Sequence, residues 1–190
     1  MSGWNRRPVG DWQELPYPGQ RPDCSWRLAG DHVHRVVPAG RAWRDTHTGE
    51  EIDLGGRTFI LAYGSNATPG KLDGMDAVML RAEITDAQAV WSEGRRGRDG
   101  AVVATVTTVR GHVEACPVLA VHPGEVARVD GWEFPAYQRA EFWGRCILEN
   151  GVDVTAEVYV GGPTRRPLRH AGRYLPLHEF DHDHVDRIVQ

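Results

Sequence analysis

The sequence predicts an α+β domain: a mixed, mostly antiparallel β-sheet curling toward a small barrel, with a few short helices. Three observations lead there. From Thr58 onward, short runs of β-branched and aliphatic residues recur, each bounded by glycine, proline or clustered charge. Several alternate, as in Ala101-Val-Val-Ala-Thr-Val-Thr-Thr-Val109 and Val152-Asp-Val-Thr-Ala-Glu-Val-Tyr-Val160, the pattern of half-buried strands. The gaps between runs are too short for helical crossovers, which disfavours a doubly wound sheet.

Residues 1–57 are rich in proline, glycine and tryptophan and lack a sustained period. They read as an extension wrapping the core, because Trp4, Trp12, Trp26 and Trp43 carry too much apolar area to leave in water. Within it, the stretch LPYPGQRPDC at 15–24 reads as extended, turn-rich chain, since each proline fixes φ and restricts the residue before it. Residues 58–162 form the main domain, with strands expected at 58–63, 77–84, 87–92, 101–109, 113–121, 137–148 and 153–160. Short helices are expected over 69–75 and over 124–132, where Val126 and Val129 share a face and Glu125 stands near the N-terminus. Residues 163–190 form a polar C-terminal arm that fits either a frayed helix or an ordered strap.

A chain of 190 residues suits one domain plus an extension. With 41% hydrophobic and 25% charged residues, wholesale disorder is excluded. The net charge of −4, with both signs interspersed, provides no field to attract nucleic acid or anionic lipid, so a small-molecule partner is expected. Cys24, Cys116 and Cys146 are odd in number and lack a Cys-x-x-Cys pair, so they read as reduced thiols. No apolar segment follows the first basic residues, and no run reaches the length of a membrane span. The expectation is a cytoplasmic protein with neither nucleic-acid nor membrane partner; nothing in the sequence specifies an oligomeric state.

The most informative stretch is Thr58-Phe-Ile-Leu-Ala-Tyr-Gly-Ser-Asn-Ala-Thr-Pro-Gly-Lys-Leu72, an apolar strand ending in a polar turn. It is not a phosphate-binding P-loop: Gly64 and Gly70 enclose five residues where that motif has four, and Leu72 follows Lys71 where a hydroxyl is required. Nor does Ser65 have the flanking glycines of a nucleophile elbow. One reading is a tight turn in which Gly64 supplies an unusual backbone angle and Ser65 and Asn66 bond their own backbone. The other is an anion cradle, made of successive N–H groups with Ser and Asn side chains beside them. A small carboxylate would sit there.

These residues carry a resemblance. Phe59-Ile-Leu-Ala-Tyr-Gly-Ser-Asn66 resembles the Tyr-Gly-Ser-Asn loop of the gamma-glutamyl cyclotransferase-like superfamily, and Val129-Asp-Gly-Trp-Glu133 resembles the family's second segment, which follows a strand (117–121) and a short helix (124–130). The likeness spans 59–160. It implies a small mixed β-barrel with few helices, Glu133 as the catalytic carboxylate, Tyr63, Gly64, Ser65 and Asn66 as substrate-binding residues, and an active-site tyrosine at Tyr137; Tyr159 matches another aromatic position more loosely. The implied reaction closes a γ-glutamyl group on its own amine to release 5-oxoproline, and needs neither metal nor cofactor. Ser65 enters as a binding residue, with no matched histidine to make it a nucleophile. Apolar neighbours Trp132, Phe134 and Tyr137 are expected to desolvate Glu133. The chain departs from the family at Ala67, where a larger apolar residue is usual, and at Phe134, where glycine is common and where the ring is expected to add bulk beside the pocket.

Two other classes fit the same residues: a binding module that grips an amino-acid-like anion without turnover, and a protein-interaction scaffold using the tryptophan-rich arm. The tail gathers His178, His182 and His184 with Glu179, Asp181 and Asp183, and His178 and His182 on one helix face would suit a borderline metal. A solvated tail is the plainer reading, and no metal site is assigned. Gly94-Arg-Arg-Gly-Arg98 and Thr164-Arg-Arg-Pro-Leu-Arg169 read as solvated basic loops, the first of which could also meet an acidic substrate tail.

Overall fold

The computed structural model describes residues 4–189; residues 1–3 and 190, at the ends of the expected extension and arm, lie outside the described residues. Its frame is one hairpin, β7 (Ala77–Arg95) and β8 (Val102–Val121), paired antiparallel along nearly their whole length. Each replaces two expected strands. In β7 the ladder shifts between Thr85 and Ala87, where Asp86 takes φ 60°, and its carboxylate accepts the N–H of Gly111 (φ 74°) from the facing strand at 2.8 Å. The Arg110-Gly-His break in the sequence is thus a bulge that bends the hairpin without ending it.

Around this hairpin the chain adds β1 (Arg6–Pro8), β2 (Trp26–Ala29), β3 (His32–Ala39), β4 (Ala42–Asp45), β5 (Glu51–Ile52), β6 (Thr58–Leu61), β9 (Tyr137–Glu141), β10 (Cys146–Leu148), β11 (Asp153–Val154) and β12 (Glu157–Gly161). Together they form one 12-stranded sheet whose main path is β5-β4-β3-β2-β7-β8-β6-β12-β9. The β6–β12 pairing is parallel and the rest are antiparallel. No ladder joins the two ends of this path among the described residues. The expected 137–148 strand is two, parted at Gly144, where a Cβ would lie 2.0 Å from the Thr85 carbonyl. The helix expected over 124–132 is α1 (Pro123–Glu133), and 69–75 contains a 3₁₀ turn over Pro69–Leu72.

Residues 26–52, read from sequence as unpatterned, supply β2–β5. Their turns sit at Gly30 (φ 60°) and Gly40 (φ 67°), and Trp26 and Trp43 are fully buried. Both faces of the central sheet are covered. Ile60, Met79 and Leu119 pack toward α1, through Val126 and Val129, and toward Leu72 and Trp12. The alternate residues Leu61, Leu80 and Val118 pack in the cluster that holds Tyr17, Trp91, Leu175 and Val185. Two covered faces explain why these strands read as continuous apolar runs.

The C-terminal arm is ordered against β7. Leu168 N–H donates to the Trp91 carbonyl, Trp91 N–H to Leu175, and Leu177 N–H to Ala89, before β13 and β14 (Arg169–His170, Arg173–Tyr174) and α2 (His182–Ile188) complete it. The His182 ring lies 5.7 Å from the ring of Trp91, Asp181 caps α2 by accepting the His184 N–H, and His184 packs on Phe180. No group of three ligating side chains converges among the described residues.

Asp45 anchors the β3–β4 hairpin. Its buried carboxylate accepts from Arg27 Nε (2.7 Å), His34 Nδ1 (2.8 Å) and the N–H groups of His47 and Thr48 (2.7 and 3.0 Å). Burial opposes its charge, but these donors outweigh burial and hold the carboxyl well below the usual range. The unfolded carboxyl titrates near pH ~4, so its contribution is complete above that value and declines as pH falls through it. Asp45→Ala should lower stability by about 3 kcal/mol at neutral pH in urea unfolding, and the gap to the parent should narrow below about pH 4.

Candidate functional site

β6 runs out against the Pro117 carbonyl, which accepts the Ala62 N–H at 2.8 Å, and delivers Tyr63 into the interior. The chain then makes two successive 3₁₀ turns, Ser65–Ala67 and Pro69–Leu72. Ala67 and Thr68 N–H groups close the first turn onto Gly64 and Ser65, while the N–H groups of Gly64, Ser65 and Asn66 have no hydrogen-bond acceptor among the described residues. Gly64 has φ −104°, so it is not in the left-handed region that only glycine adopts freely. Glycine is required by proximity: a Cβ at Gly64 would lie 2.9 Å from Tyr17 Oη, and one at Gly70 would lie 2.4 Å from the Trp12 carbonyl oxygen. Residues 12–21 clamp this loop from outside, with Thr68 Oγ1 donating to Pro18 O and Arg21 to Tyr63 O.

Across the opening, α1 ends at Glu133. Tyr63, Gly64, Ser65, Asn66, Glu133 and Tyr137 line one cavity of about 370 Å³. Lys71 joins its two sides. Its ammonium donates to Asn66 Oδ1 at 2.6 Å, Ser65 Oγ at 3.2 Å and Glu133 Oε1 at 3.2 Å, with the Trp132 ring centroid 5.2 Å away. The Lys71 and Glu133 side chains are 11% and 13% exposed. Burial pushes the Lys71 ammonium below the usual lysine range, against the pull of Glu133. Of the three apolar neighbours expected around Glu133, Trp132 and Tyr137 line the cavity with it, whereas Phe134 is 75% exposed and does not, because the backbone turns extended at the end of α1. A cation takes the place of that apolar contact.

The tyrosines are committed elsewhere. Tyr63 donates its hydroxyl to the Tyr159 carbonyl, and Tyr137 donates to the Ala104 carbonyl at 2.7 Å. Tyr159 donates to Asp130 at 2.7 Å, on the carboxylate that also holds Arg139. Tyr17 Oη accepts the Ala104 N–H at 2.8 Å. Burial pushes the Tyr17 phenol up to about 12 and those of Tyr63 and Tyr137 well above the usual tyrosine range, so all three stay protonated near neutrality. No histidine lines the cavity among the described residues. Glu133 and Glu14 are the carboxylates that line it, and Glu133 is the one bridged by Lys71 to Ser65 and Asn66.

Sequence reasoning missed Tyr17 and Lys71, and the two basic loops read as solvated place Arg96, Arg98 and Arg165 in the cavity wall. Lys71 lay inside the singled-out loop, five residues beyond Asn66, and the Pro69-Gly70 turn that returns it to the cradle was its signal. Arg96 and Arg98 come from the basic hairpin tip, Arg165 from the turn after β12.

A solved gamma-glutamyl cyclotransferase superposes with a TM-score of 0.50 at 16% identity, over 58% of this chain and 70% of its own. An uncharacterized protein from Homo sapiens matches with a TM-score of 0.50 at 16% identity, over 59% and 71%. A protein from Arabidopsis thaliana with a known solution structure gives 0.48 at 17% identity, over 72% and 85%. No family sequence model and no curated protein sequence matches the chain. The fold is gamma-glutamyl cyclotransferase-like: a mostly antiparallel mixed sheet with two helices. No helix among the described residues is long and apolar enough to cross a membrane.

Lys71→Met and Glu133→Gln, singly and combined in urea unfolding, should show a coupling of about 1 kcal/mol or more, because each leaves the other's charge or acceptor unmatched. Gly70→Ala should lower stability by about 2 kcal/mol, since its methyl meets backbone that a rotamer change cannot move.

Proposed function

We propose that the chain is a gamma-glutamyl cyclotransferase-type enzyme, releasing 5-oxoproline from a γ-glutamyl amine or peptide. One observation carries the reading: Glu133 and the residues with unengaged main-chain N–H groups, Gly64, Ser65 and Asn66, line one cavity, and Lys71 bridges Glu133 to Ser65 and Asn66. The superposition on a gamma-glutamyl cyclotransferase supports the fold this requires.

The N–H groups of Gly64, Ser65 and Asn66, with the Ser65 hydroxyl, take the α-carboxylate of the glutamyl group. That anchors a flexible chain so that its α-nitrogen and γ-carbonyl meet, and the rotational freedom lost on binding is recovered as rate. Glu133 accepts a proton from the α-ammonium and the freed amine attacks the γ-carbonyl carbon; the amide C–N bond breaks as Glu133 returns that proton to the departing nitrogen, and the ring nitrogen gives up its second proton, through the Glu133 carboxylate, to the released amine. The ring is 5-oxoproline, and the other product is the free amine. Tyr63 and Tyr137 shape the walls, because their hydroxyl protons are already donated to carbonyls.

A second reading, a binding module without turnover, draws on the position of Lys71. Its ammonium lies 3.2 Å from Glu133, where a substrate α-ammonium would meet that carboxylate, so the pair must part before proton transfer begins.

The test is 5-oxoproline release from a panel of γ-glutamyl amines, γ-glutamyl dipeptides and glutathione. Glu133→Gln should bind the turned-over substrate within a few-fold of the parent and lose about 10²-fold or more in kcat. Ser65→Ala should mainly raise KM. An undiminished Glu133→Gln rate removes Glu133 from the mechanism, and calorimetric binding without product for every panel member selects the binding module.

A further inference from the structure

The cavity carries more positive charge than a neutral γ-glutamyl amine can use. Lys71, Arg96, Arg98 and Arg165 line it against only two carboxylates, Glu14 and Glu133. Three of the cations have partners: Lys71 pairs with Glu133, Arg96 with Asp99, and Arg98 with Glu14 at 3.3 Å. Arg165 is different. Half-buried in the turn after β12, it makes no ion pair among the described residues. Its Nη atoms donate only to the Thr164 and Arg95 carbonyls, and its Nε is fully buried with no acceptor at all.

The turn that presents Arg165 is held tightly. Its N–H donates to the Gly162 carbonyl at 2.9 Å, and a Cβ at Gly161 would sit 2.1 Å from the Arg165 carbonyl oxygen. A guanidinium held on such a turn, lining a cavity and lacking a counter-charge, is a site for an anion: each Nη spends one N–H on a carbonyl and has a second to offer. The cradle at 64–66 already accounts for the α-carboxylate of the glutamyl group.

We infer that Arg165 recognises a second carboxylate, on the departing half of the substrate, so that the enzyme prefers γ-glutamyl amino acids or peptides over γ-glutamyl amines. This rests on the cyclotransferase reading and adds to it the chemical class of the leaving group. The second carboxylate supplies the charge that the Arg165 guanidinium lacks. It also leaves the amine end of the substrate free to meet Glu133.

The experiment compares γ-glutamyl-alanine with γ-glutamyl-ethylamide, which differ only by that carboxylate. A charge-assisted hydrogen bond of this kind corresponds to about 10- to 100-fold. In the parent, kcat/KM should therefore favour γ-glutamyl-alanine by at least about tenfold, and the ratio should shrink as salt is raised. In Arg165→Gln the ratio should fall to within about threefold of unity, and in Arg165→Lys it should recover in part. A thermal melt of each variant shows whether it is folded; if Arg165→Gln is not, the Arg165→Lys ratio and the parent's salt dependence decide. A parent with no preference, or a Gln variant that loses both substrates equally, overturns the role of Arg165 while leaving the cyclotransferase reading intact. If neither compound is turned over, that reading fails on its own, and the same ratio is read from calorimetric Kd values; equal Kd values, or binding of neither, overturn the assignment.

Discussion

A lysine ammonium as secluded as that of Lys71 must be surrounded by acceptors, because an unpaired charge at that depth destabilises a fold by several kcal/mol. The acceptors come from two places far apart in sequence. Ser65 and Asn66 stand on the loop after β6, and Glu133 ends α1. The requirement to satisfy one cation therefore sets the distance across the cavity and aims the carboxylate at the cradle. On the proposed reading the same cation competes with the substrate amine, so the contact that assembles the site would also set the threshold for using it.

Rigidity around the loop comes from the segment before β2. Tyr17 and Trp12 approach so closely that only glycine fits at 64 and 70, and Thr68 and the Tyr63 carbonyl are hydrogen-bonded to residues 18 and 21. The first strand-free stretch of the chain thereby becomes one wall of the cavity. Tyr17 also links the loop to β8 through Ala104, whose carbonyl holds Tyr137. Loop, hairpin and post-helical segment are tied at a single residue of β8. Such a frame suits a site whose task is to hold a flexible ligand in one pose.

The electrostatic layout divides the cavity by role. Paired charges, such as Arg98 with Glu14 and Arg96 with Asp99, organise the rim, and the Arg96 guanidinium lies 5.1 Å above the Tyr17 ring. Three loop N–H groups without an acceptor and the Arg165 guanidinium, which has carbonyl partners but no counter-charge, belong to residues of the same cavity lining.

Much of this was legible in the residues themselves. Alternation from Thr58 onward announced the antiparallel sheet, because one side chain in two must face a core; α1 was readable from Val126 and Val129; the Tyr63–Asn66 loop stood out as a polar turn after an apolar strand, and Glu133 entered through the family resemblance. The strands over 26–52 were not legible, since alternation such as that of Trp26-Arg-Leu-Ala29 is short and interrupted by turns, and only pairing with β7 makes it a sheet. Gly64 looked like a residue chosen for its backbone angle; the fold shows that it makes room for Tyr17. Phe134 read as a wall of the pocket, yet the extended backbone after α1 turns it to solvent. Local pattern determined which residues form strands and where the polar turn falls, because those depend on neighbours two to four positions away. That Lys71 bridges the cradle to Glu133, that Tyr17 closes the back, and that Arg165 faces the cavity unpaired were decided by tertiary packing alone, because each depends on contacts between segments some 50 to 90 residues apart, a range over which periodicity carries no information.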